Sequence, residues 1–112
     1  MTTIEITMNK ECHYRQIVCM GHAEYAKAGE PDILCAAISV LVTGTMNSLE
    51  ELAGERIDAV TDEETGFMKF TFSKEKPLQE KSVFLLDSMV FNLEMLGKEY
   101  GKKYLQVKFK EV

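Results

Sequence analysis

Ile4, Ile6 and Met8 alternate with polar neighbours, the period-two pattern that predicts a strand with one buried face, and Asn9-Lys10-Glu11 then predicts a turn. His13 to Met20 carries Tyr14, Ile17, Val18 and Cys19 without helical spacing. This predicts a second strand folding back on the first, ended by Gly21. From His22 to Pro31, Gly29 and Pro31 break both periodicities, so the stretch is predicted to be a loop. Asp32 is a good N-cap residue directly before Ile33-Leu34-Cys35-Ala36-Ala37-Ile38. The apolar run that continues to Leu52, closed by Gly54, predicts the first helix. Apolar residues nearly encircle its start, which places that end in the core, while Asn47, Glu50 and Glu51 mark the end that emerges. Gly44 inside it costs about 1 kcal/mol relative to Ala, which implies either a close backbone approach or a tolerated defect.

Ile57 and Ala59, followed across a Thr65-Gly66 turn by Met68, Phe70 and Phe72, predict a hairpin. Leu86, Met89, Leu93, Leu96 and Tyr100 then fall at alternating three- and four-residue steps, the stripe of an amphipathic helix that stops at Gly101. Leu105, Val107 and Phe109 alternate with Gln106, Lys108 and Lys110, a closing edge strand whose lysines discourage unwanted pairing. The order is ββαββαβ. Hairpin-joined strands with two helices predict an α+β fold of two layers, a largely antiparallel sheet with both helices on one face.

The chain has 112 residues, 46% of them hydrophobic and 28% charged, which predicts one domain over residues 1–112 and excludes a disordered or low-complexity chain. The richest apolar stretch is interrupted by Ser39, Thr43 and Gly44, so no membrane span is predicted. The start, Met1-Thr2-Thr3-Ile4-Glu5-Ile6, has neither the basic nor the apolar region of a secretory signal, and a cytoplasmic location is expected. Thirteen Lys and Arg against 18 Asp and Glu leave a net charge of −5, the opposite of what binding to a phosphate backbone requires, so no direct nucleic-acid binding is expected. Glu50, Glu51, Glu55, Asp58, Asp62, Glu63 and Glu64 read as a solvated acidic face able to attract a basic peptide.

Cys12, Cys19 and Cys35 are an odd number of cysteines, and reduced thiols are the expectation. Their spacings match no familiar zinc pattern, and on one strand Cys12 and Cys19 would face opposite ways. Neither metal nor cofactor is expected. Capped by Asp32, Cys35 is the third residue of the helix, where free backbone N–H groups and the helix dipole suit a thiolate nucleophile and the oxyanion of a tetrahedral intermediate. Of the two histidines, His13 lies within a strand, whereas His22 follows Gly21 where the chain leaves the sheet and can turn toward a helix start. The same pattern also accommodates a cysteine that only packs and a histidine that is only structural.

The stretch Gly21-His22-Ala23-Glu24-Tyr25-Ala26, then Gly29, then Asp32-Ile33-Leu34-Cys35-Ala36-Ala37-Ile38-Ser39-Val40-Leu41 resembles the signature of the ribosomal-processing cysteine proteases, the Prp family. The resemblance implies His22 as base and Cys35 as nucleophile, with Gly21, Ala23, Gly29, Asp32 and Ser39 as residues of the substrate site. Asp32 is read first as the helix cap, and Ser39 lies one helical turn from Cys35. His22 and Cys35 are 13 positions apart, one more than is usual in the family, and one extra loop residue is cheap to accommodate. By resemblance the chain is a homodimeric endopeptidase that removes a short N-terminal extension from the twenty-seventh protein of the bacterial large ribosomal subunit, a substrate that is basic beyond the cleavage point. The competing reading is a non-catalytic, ribosome-associated module that holds a peptide in the same groove.

Overall fold

A computed structural model describes residues 1–24, 26–27 and 32–112. Gly29 and Pro31, on which the loop reading rested, lie outside the described residues. The elements are β1 (Thr2–Met8), β2 (Tyr14–Met20), α1 (Ile33–Glu51), β3 (Ile57–Asp62), β4 (Phe67–Phe72), α2 (Glu80–Tyr100) and β5 (Leu105–Glu111). This is the predicted order, although β2 starts at Tyr14 and leaves His13 outside the strand, α1 ends at Glu51 and α2 starts at Glu80, well before Leu86. The five strands form one sheet in the order β3-β4-β2-β1-β5, antiparallel except where β5 runs parallel to β1.

Register explains why the alternating patterns succeed. Ile4 is opposite Cys19 and Val107, Ile6 opposite Ile17, Ile17 opposite Phe70, and Phe72 opposite Ile57. These residues share one face of the pleat. That face packs against Leu34, Ile38, Val42, Met46 and Leu49 of α1 and Leu86, Met89, Val90 and Leu93 of α2 in a single core. Both helices therefore cover the same side. The other side carries Thr3, Glu5, Gln16, Lys69 and Lys108, as an antiparallel sheet with one solvated face should.

The helix ends differ in how they are satisfied. At α1 the Asp32 carboxylate accepts the Cys35 N–H at 2.9 Å, the predicted cap. Helix α2 lacks a side-chain cap of its own. Instead Glu55 accepts the Gln79 N–H at 3.0 Å, and the Gln79 side chain donates to the Ala53 carbonyl at 2.6 Å. Glu55 is thus buried and structural, which corrects its assignment to the solvated acidic face. Burial pushes its carboxyl up, but the adjacent Ser82 hydroxyl, the Gln79 amides and the Lys76 charge outweigh that and hold it below the usual value.

The packing of α1 bears on two further expectations. A Cβ added at Gly44 would meet nothing within 4 Å, so this glycine serves no close approach and is a tolerated defect. By length and apolar content α1 is sufficient to cross a membrane, despite Ser39, Thr43 and Gly44. Its buried stripe nevertheless lies on the sheet, which makes it the core helix of this fold.

Candidate active site

Where β2 ends, the chain turns sharply at Gly21, whose φ is +83°. A Cβ there would stand 2.6 Å from the Met1 carbonyl oxygen, so only glycine fits. The Thr2 hydroxyl donates to the Gly21 carbonyl at 3.2 Å and ties the turn to β1. His22 follows with an exposed side chain whose Nε2 lies 3.1 Å from the Glu64 carbonyl oxygen in the β3–β4 turn. Cys35 is half-buried at the start of α1, and Ser39 and Thr43 continue from it at four-residue steps along the helix.

Gly21, His22, Cys35 and Ser39 line one cavity of about 430 Å³. Its opposite wall comes from the β3–β4 hairpin, through Thr61, Asp62, Glu63, Gly66 and Met68. The Thr65-Gly66 turn is legible in the sequence. Its position beside His22 follows only from the sheet order, which no local pattern encodes. Asp62 and Glu63, expected on a solvated face, border the cavity.

The remaining predicted residues take other positions. Ala23 has no exposed surface and belongs to the core cluster, so its side chain packs rather than reaching a bound peptide. Asp32 acts as the cap, with its second carboxylate oxygen 3.4 Å from the Ala26 nitrogen. Gly29 lies outside the described residues. The cap also changes one expectation, because the Cys35 N–H is engaged by Asp32 and the Ala36 N–H by the Asp32 carbonyl. Those two amides are committed to the helix start rather than to an oxyanion.

All three cysteines are free. Cys19 reaches the cavity floor but is 1% exposed, and burial pushes its thiol up to about 12. Cys12 is exposed in the β1–β2 turn, away from this cavity. Because Cys35 alone of the three sits at a helix start, and it shares a cavity with His22, iodoacetamide is expected to alkylate it first, Cys12 more slowly, and Cys19 only on unfolding. Peptide mapping of a time course checks the order, and earlier labelling of Cys12 or Cys19 contradicts it.

Comparison with known proteins gives one consistent answer. The family described as Cysteine protease Prp matches residues 1–106. The ribosomal processing cysteine protease Prp of Staphylococcus aureus is 28% identical over 102 residues, covering 91% of this chain and 93% of that protein. Its Bacillus subtilis counterpart is 30% identical over 82 residues, covering 71% and 72%. A crystal structure of the essential S. aureus protease in complex with a covalently linked product peptide superposes with a TM-score of 0.86 at 26% identity, covering 98% of this chain and 100% of the other. A match over nearly the whole chain, on a fold that superposes along its length, makes this protein a member of the Prp family of cysteine proteases.

Proposed function

We propose that this protease removes the N-terminal extension of the twenty-seventh large-subunit ribosomal protein, with Cys35 as nucleophile and His22 as base. The observation that carries the reading is that β2's exit and α1's start bring these two side chains to one cavity with Gly21 and Ser39. His22 takes the Sγ proton, and the thiolate forms a bond to the scissile carbonyl carbon. The tetrahedral intermediate collapses as the C–N bond breaks, and His22 returns the proton to the leaving amine. Water, deprotonated by His22, then attacks the thioester, which releases the extension as an acid and restores the thiol. The covalently linked product peptide of the S. aureus relative supports a covalent route.

Asp62 and Glu63 at the cavity's edge suit a substrate that is basic past the cleavage point. The reading includes a homodimer working in the cytoplasm. Support for a second copy comes from Phe84, Phe91 and Met95, which leave an apolar outer stripe on α2 exposed. Mass spectrometry of a synthetic peptide spanning the extension and the first mature residues tests the substrate. Cleavage at a single bond is expected, with a scrambled peptide of the same composition left intact. Equal cleavage of both, or of neither, contradicts the assignment and in the second case favours a binding module.

A further inference from the structure

His22 is gripped from the side opposite its own strand, by the turn between β3 and β4. Its Nε2 is 3.1 Å from the Glu64 carbonyl oxygen. A carbonyl has lone pairs and no hydrogen to give, so this contact is a hydrogen bond only when Nε2 carries the proton. In the neutral ring the free lone pair then resides on Nδ1. The turn is itself held, because the Asp62 carboxylate accepts the Glu64 N–H at 3.1 Å.

Close approach of the turn depends on Gly66. Its φ is +69°, and a Cβ there would stand 2.8 Å from the Gly21 carbonyl oxygen, 2.9 Å from the Gly21 carbonyl carbon and 3.1 Å from Cε1 of His22. Two of those atoms are backbone, and the Gly21 carbonyl is already fastened by Thr2. The histidine is thus seated between two glycine turns. A side chain at Gly66 would displace the Gly21 carbonyl, and one at Gly21 would strike the Met1 carbonyl.

From this geometry we infer that the Glu64 main-chain carbonyl is the orienting partner of the catalytic histidine. It selects the Nε2–H tautomer and makes Nδ1 the atom that accepts the Cys35 proton, while Gly66 is the positioning residue that lets the carbonyl reach the ring. The role is the one a side-chain carboxylate or amide fills in other nucleophile–histidine pairs. It rests on the reading of His22 as base. When Nδ1 is protonated the carbonyl still accepts from Nε2, so the ring keeps its orientation through the whole proton cycle.

The test has two arms. Nitrogen-15 NMR of the histidine rings in Cys35→Ala, at a pH where they are neutral and with His13 assigned by a His13→Gln comparison, is expected to show His22 as the Nε2–H tautomer. Gly66→Ala is expected to lower kcat by roughly 10- to 100-fold with KM changed less than about two-fold, and to mix the two tautomers. A predominantly Nδ1–H tautomer in Cys35→Ala, or a folded Gly66→Ala with unchanged kcat, overturns the inference. If Gly66→Ala does not fold, the spectrum of Cys35→Ala decides alone, because its hairpin is native. An Nδ1–H ring together with an inactive His22→Ala overturns this inference and spares His22 as base through its other nitrogen. A fully active His22→Ala overturns the base assignment and the inference with it.

Discussion

Cys35→Ala is expected to lower hydrolysis of the extension peptide by ~10⁴-fold or more while leaving the fold and peptide binding intact. The magnitude follows from the chemistry: removing the nucleophile of an acyl-transfer enzyme leaves only the catalysis that binding and charge stabilisation supply. The fold is expected to survive because Cys35 is half-buried at the cavity wall, and α1 is anchored by Leu34, Ile38 and Val42 beneath it. His22→Ala is expected to fall by a similar factor, since nucleophile and base act as a unit and their losses do not add. Chromatographic assay of peptide cleavage, with binding followed by fluorescence anisotropy, checks both. Retention of more than about a tenth of the activity in Cys35→Ala contradicts the nucleophile assignment.

Leu34→Ala is expected to produce the largest loss of stability near the site. Leu34 is 0% exposed and directly precedes Cys35, so its side chain fixes the start of α1 against the sheet. Truncation removes buried methyl groups and leaves a cavity, at a cost of about 3 kcal/mol. For a domain of this size that corresponds to a fall in Tm of roughly 12 to 20 °C. Val40, on the same helix but 72% exposed, provides the contrast, since Val40→Ala is expected to stay within about 0.5 kcal/mol of the parent. Calorimetric melting curves of the two variants check the difference. Similar Tm values for both would mean that α1 is not seated as described.

The local signals read correctly because each is enforced over a few residues. Asp32 caps α1 because its short carboxylate reaches the Cys35 N–H three residues on. The alternation of Ile4 and Ile6 with polar neighbours fixes which side of β1 faces the helices. What escaped the sequence is contact between distant segments. The cavity wall opposite Cys35 comes from β3 and β4 because β4 pairs with β2, and nothing in Thr61 to Met68 reveals that pairing. Glu55 looks like its acidic neighbours, yet it is 9% exposed because α2 begins beside it without a cap of its own. Ala23 belongs to the motif that carries His22, but the chain turns inward there and buries it.

In the proposed reaction Cys35, assisted by His22, carries the peptide as a thioester. Intact-protein mass spectrometry of an acid-quenched reaction with the extension peptide, followed by peptide mapping, tests it most directly. An adduct with the mass of the cleaved extension less one water is expected, mapped to Cys35 and absent from Cys35→Ala. Cleavage that proceeds in Cys35→Ala, or an adduct mapped to Cys12, would contradict it.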